Sequence, residues 1–136
     1  MTFAEVWTQV IAVHCVGCHS PNPDGGTPGG GLRLGLLDMS TPDAGYANLV
    51  NQPARGTVSL VPDAAACDTL ANTGVAGSIR VIPSASGASL LYLKVNGYTT
   101  PPPCSLPMPA NGEIPDGGQA AVVQEIQTWI DEGAHP

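Results

Sequence analysis

Two segments, SPNPDGGTPGGG (20–31) and YTTPPPCSLPMPANGEIPDGG (98–118), limit what this chain can fold into more than any other feature. Proline fixes φ and removes a backbone donor, and glycine loses the most freedom on ordering, so both stretches are expected to be loops. Gly (17) and Pro (14) together exceed a fifth of the 136 residues. A chain of this length builds one core, and no internal repeat or linker divides it, so residues 1–136 read as a single domain. Apolar residues are 43% of the total, yet little regular structure remains to bury them. Another body, a cofactor or a disulfide, is expected to complete the core.

The regular elements are expected at the ends. Thr2 and Glu5 form a capping-box pattern, and Phe3, Val6, Trp7, Val10 and Ile11 recur at helical spacing, which predicts a helix over 2–14. Thr41 followed by Pro42 predicts a short helix to about Val50, ended by Pro53. VSLV (58–61) and IRVI (79–82) read as short strands within an irregular middle. A helix is expected over Ser86–Val95, stopped by Asn96-Gly97. The last helix is expected to start near Asp116, with Gln119 three residues on, and to stop at Gly133. Its face carries Val122, Val123, Ile126, Trp129 and Ile130. The first and last helices, each with a tryptophan in its apolar stripe, are expected to pack on each other.

Between the first helix and the first loop lies HCVGCHS (14–20). C-x-x-C-H is the covalent attachment pattern of a c-type haem. On a helical turn Cys15 and Cys18 share a face, so each sulfur can form a thioether with one haem vinyl group. His19, four residues from Cys15, presents its imidazole to the iron, and Gly17 leaves room for the porphyrin edge. A zinc site would need two more ligands, and Cys67 and Cys104 lack the paired spacing. A thioredoxin-like redox pair would need a βαβ context that this chain lacks. The imidazole of such a histidine usually donates its other N–H to a backbone carbonyl, with Pro23 or Pro28 as candidates here. Arg33 is either a contact to a haem propionate or a solvated surface residue. Tyr46, Tyr92 and Tyr98 border the pocket or pack in the core.

One protein ligand leaves the iron open to small molecules, and a second makes an electron carrier. Met1 and His135 sit at chain ends, where fraying is expected. His14 shares the turn of Cys15 and cannot reach the opposite face of the ring. Met39, in LLDMS, is a candidate ligand or a packed core residue. Met108, in LPMPA, lies between two prolines that stiffen the loop, and is the favoured ligand. An open iron is the remaining possibility.

With these features in place, the chain resembles class I cytochromes c, and more narrowly the single-haem cytochrome c domains of planctomycete and myxobacterial type. The matching segments are the C-x-x-C-H turn, GGLRL (30–34), AGYANLVN (44–51), SLLYLKVNG (89–97), LPMP (106–109) and IQTWIDEGA (126–134). The resemblance implies a mostly α, class I cytochrome c-like fold, with N- and C-terminal helices packed around one covalently bound haem and long Gly/Pro-rich loops. It implies Cys15 and Cys18 as attachment residues, and His19 and Met108 as axial ligands of the iron. It also implies haem attachment outside the cytoplasm, where Cys67 and Cys104 are expected to form a disulfide. The expected function is one-electron transfer between redox partners rather than enzymatic catalysis. A haem-based sensor with a displaceable sixth ligand and an electron-relay module of a larger oxidoreductase are the alternatives.

Charge and hydropathy narrow the partners. The formal charge is −7, from 11 acidic and 4 basic residues, and Lys94 is the sole lysine. No basic patch invites nucleic acid or an anionic membrane, and a neutral or positively charged redox partner is expected. No apolar run is long enough to span a bilayer. MTFAEVWTQV has neither a basic n-region nor a cleavage site. The periplasmic or otherwise exported location is what the resemblance implies, so a leader removed or a segment cut from a longer chain is expected.

Overall fold

The computed structural model describes residues 1–21, 32, 35–63 and 65–136. Most of the 20–31 loop, Pro23, Pro28 and Arg33 lie outside these residues, as does GGLRL apart from Leu32. The described residues form a mostly helical small domain without a sheet, in which the N-terminal helix contacts the C-terminal helix. Helix α1 spans residues 3–14, α2 Pro42–Leu49, α3 Leu90–Val95 and α4 Gly118–Asp131. Single 3₁₀ turns form at Cys67–Leu70 and Ser86–Ala88.

Helix α1 opens with the expected capping box, as the Glu5 N–H donates to Thr2 Oγ1 (3.4 Å) and the Thr2 N–H to the Glu5 carboxylate (2.7 Å). Its middle, Trp7–Ile11, is π-helical, with the Ala12 N–H reaching the Trp7 carbonyl. The wider turn rotates the apolar stripe, so that Phe3, Val6, Val10 and Ile11 are all buried while Trp7 is half-buried. Helix α2 begins as expected, with Thr41 Oγ1 accepting the Ala44 N–H (3.2 Å) and Pro42 at the first helical position.

The helices meet at Trp129, which is fully buried in α4 with its ring centroid 5.1 Å from that of Phe3. Tyr46 of α2 meets Phe3 edge-on, with ring centroids 5.5 Å apart. Far from fraying, the chain ends are tied together. The Phe3 N–H and the Trp129 indole N–H each donate to the His135 carbonyl at 2.9 Å. The Tyr46 hydroxyl donates to the Ala134 carbonyl at 3.1 Å, and the Met1 ammonium pairs with Glu132.

Three expectations need correction. VSLV (58–61) is not a strand: it pairs with no segment among the described residues, and Val58 and Leu60 are exposed. IRVI (79–82) is reduced to isolated bridges, Val81 to Val50 and Ile79 to both Pro53 and Ser89. The segment Ser86–Val95 is broken at Ser89. Its hydroxyl donates to the Ala85 carbonyl (2.9 Å) and accepts the Ile82 N–H (2.8 Å), while the Leu90 and Leu91 N–H groups turn to Ile79 and Arg80 (2.9 Å each). These bonds replace the intrahelical ones, so the helix proper starts at Leu90.

The start of α4 differs too. It follows Gly117, whose φ of 77° favours glycine, and no side chain caps it. Gln119 is buried instead of capping. Its amide donates to the Val95 carbonyl and, at 3.4 Å, to the Met108 carbonyl, and its oxygen accepts the Ile114 N–H at 3.2 Å.

The Trp129 contact should dominate stability. Trp129→Ala is expected to cost about 3–5 kcal/mol in denaturant unfolding followed by far-ultraviolet circular dichroism. A loss below about 1 kcal/mol would show that the terminal helices do not share one core.

Candidate functional site

The CVGCH turn leaves α1 as a hydrogen-bonded reversal. The Cys15 and Val16 N–H groups both reach the Ile11 carbonyl (2.9 and 3.1 Å), and the Cys18 and His19 N–H groups both reach that of Cys15 (3.1 and 2.9 Å). Cys15 is half-buried, Cys18 exposed and His19 buried. No described protein atom lies within 4 Å of where a side chain at Gly17 would begin, so packing does not demand glycine there. The exposed His14 lies at the end of α1.

His19 is held from both sides. Its Nδ1 lies 3.2 Å from the Leu37 carbonyl, and its own carbonyl accepts the Met39 N–H at 2.6 Å. A carbonyl only accepts, so Nδ1 carries the proton and Nε2 keeps its lone pair. Leu37 thus fills the role expected of Pro23 or Pro28, and nothing in its sequence context marks it. Burial pushes the His19 pKa down, the Leu37 bond opposes that and the nearby Arg80 cation adds to it. Burial, with Cys18 beside it, pushes the Cys15 thiol up to about 12.

Arg80 is one of the three arginines of the chain. It is only 5% exposed, and its guanidinium donates to the carbonyls of Asn48 (2.8 Å), Gly35 (2.9 Å) and Leu36 (3.1 Å). It therefore joins α2 to the residues just before Leu37, the acceptor for His19. Burial pushes its pKa down to about 10, which leaves it cationic at neutral pH.

The two internal methionines have different surroundings. Met39 is 2% exposed within the main core cluster, and its carbonyl accepts the Trp7 indole N–H at 3.4 Å. Met108 is half-buried and packs on the edge of that cluster, as do Cys15, Val16 and Leu37. Its loop is seated on the end of α3. A side chain at Gly97 would begin 2.8 Å from Pro107 and 3.0 Å from Pro102, so Gly97 serves close approach as well as ending the helix. The Met108 N–H donates to the Lys94 carbonyl at 2.9 Å, the Lys94 ammonium donates to the carbonyls of Cys104 and Leu106, and the Tyr98 hydroxyl donates to that of Pro109. Of the other tyrosines, Tyr46 and Tyr92 pack against the main core cluster.

Cys67 and Cys104 are joined by a disulfide, with Cα atoms 5.2 Å apart. It anchors the irregular middle to the Met108 loop and centres a second small core with Ala54 and Leu90. Both sulfurs are thereby removed as metal ligands, and Cys15 and Cys18 are the free thiols. Among the described residues, no three His, Cys, Asp or Glu side chains gather as a metal-binding group. The turn thus offers two thiols and one lone-pair nitrogen.

Two substitutions test this framework. Arg80→Met leaves three carbonyls without their donor and is expected to cost about 1–3 kcal/mol in denaturant unfolding. Replacing Cys67 and Cys104 together by alanine is expected to cost about 3–4 kcal/mol by freeing a 37-residue separation in the unfolded chain. In comparisons with known proteins, the chain matches no family profile, no curated protein and no solved structure.

Proposed function

We propose that this protein is a monohaem c-type cytochrome that transfers single electrons between redox partners. The observation that carries the reading is the CVGCH turn itself. It sets two free thiols beside a buried imidazole whose Nδ1 is committed to the Leu37 carbonyl and whose Nε2 is left for a metal. That donor set suits a c-type haem, and a histidine oriented through a backbone carbonyl is the usual arrangement of a metal ligand. The disulfide removes the only other cysteines from competition.

In this reading Cys15 and Cys18 would hold the porphyrin through thioethers, and His19 Nε2 and Met108 Sδ would be the two protein ligands of the iron. A haem so bound supplies one-electron chemistry, with thioether ligation favouring the ferrous state over bis-histidine ligation. Met108 is preferred to Met39 because it is half-buried at the periphery of the core, whereas Met39 is enclosed within that core. The α1–α4 packing, the late methionine loop and the order of elements support a class I cytochrome c-like fold.

The charge distribution bears on the partner. Two of the four cationic side chains, Arg80 and Lys94, are buried, and Arg55 lies 3.8 Å from Asp68. With a net charge of −7, the exposed charge of the chain as a whole is mostly carboxylate, which favours a neutral or positively charged partner and slower association with a positive one at high salt. No described helix is long and apolar enough to cross a membrane. A periplasmic or otherwise exported location follows from the same reading, through the compartment in which such haems are attached.

The test is a visible spectrum of protein matured with the c-type haem machinery. Covalent haem, sharp low-spin bands on reduction and the weak near-red band of methionine-bound ferric iron are expected. Met108→Leu should abolish the near-red band and open the reduced iron to carbon monoxide, and Met39→Leu should do neither. Failure to retain haem after denaturation would refute the cytochrome reading, and loss of the band in Met39→Leu alone would move the ligand to Met39.

A further inference from the structure

Resting on the haem reading, we infer that Lys94 is the positioning residue for Met108. Five of the nine residues over 101–109, PPPCSLPMP, are prolines without a backbone N–H. The loop therefore presents more carbonyls than it can satisfy with its own donors, and a donor must come from elsewhere. Lys94 supplies it. Its ammonium donates to the carbonyls of Cys104 and, at 2.9 Å, Leu106, and its backbone carbonyl accepts the Met108 N–H at 2.9 Å. One residue of α3 thus grips the loop at three points over five positions, and the third is the ligand itself.

The choice of residue is informative. This is the only lysine of the chain, it is 7% exposed, and no carboxylate pairs with it among the described residues. Packing alone would be met at lower cost by a leucine or methionine, because taking an ammonium out of water is unfavourable. An ammonium is required only if its N–H groups have work to do, and here they serve the two carbonyls that precede Met108. A thioether is a weak, neutral ligand, so its retention depends on how little the loop must be ordered when it binds. Gln119 supports the same loop from α4 through the Met108 carbonyl, at 3.4 Å. The segments SLLYLKVNG and LPMP, separated by eight residues, meet through this clamp.

The experiment compares haem-loaded wild type, Lys94→Met and Lys94→Arg. Lys94→Met, which fills the space without donors, is expected to keep its covalent haem and helical circular dichroism. It should lose most of the ferric near-red band and bind carbon monoxide when reduced. Lys94→Arg, which keeps donors on a long stem, should recover the band at least in part. A Lys94→Met protein with the full band and no carbon monoxide binding overturns the inference and leaves the haem reading intact. If that variant does not fold, Lys94→Gln decides. Melting of its near-red band well below its helical transition supports the clamp, and simultaneous loss of both, as expected of a purely structural residue, overturns it. A wild type with haem but no near-red band removes the ligand and the inference together.

Discussion

The contact of Trp129 with Phe3 is the interaction on which the other elements depend. It joins the last helix to the first, and the His135 carbonyl completes it by accepting both the Trp129 indole N–H and the Phe3 backbone N–H. With the chain closed in this way, the end of α1 and the CVGCH turn are held at the rim of one core. Tyr46 brings α2 onto the same aromatic group. In a domain with so few helical residues, a loss at this point would leave the loops nothing to fold against.

The loops are ordered by a different means. Where glycine and proline deprive the backbone of regular pairing, long side chains reach in and donate to carbonyls. Arg80 does so for residues 35, 36 and 48, Lys94 for 104 and 106, and Gln119 for 95 and 108. Two of these three are cations withdrawn from a chain that has only four. Buried polar groups without partners are costly, so a loop rich in unpaired carbonyls and a buried cation rich in donors stabilise each other. Both clamps flank the residues to which we assign metal ligation, one behind His19 through Leu37 and one behind Met108.

Much of the architecture was legible in short-range pattern. The Thr2–Glu5 box, the Thr41–Pro42 start and the apolar stripe of α4 depend on neighbours within one or two turns, and each formed as read. The errors share a cause. Ser89 and Gln119 were read by local propensity, whereas distant backbone groups claimed their side chains. The segment at 58–61 has strand composition without a partner among the described residues, and a lone strand has nothing to stabilise it.

The sequence by itself determined the C-x-x-C-H spacing, the acidic balance and the helical ends, because these follow from residue identity and from spacings of three or four positions. Tertiary structure alone decided that Leu37 accepts the His19 N–H, that Arg80 and Lys94 are buried and that Met39 lies inside the core while Met108 stays at its edge. Each of these depends on which carbonyls and apolar surfaces meet across ten or more residues, and no local period encodes that. An arginine and a lysine look alike in sequence whether they face water or a proline-rich loop; the fold makes the distinction by leaving carbonyls that only a buried donor can satisfy.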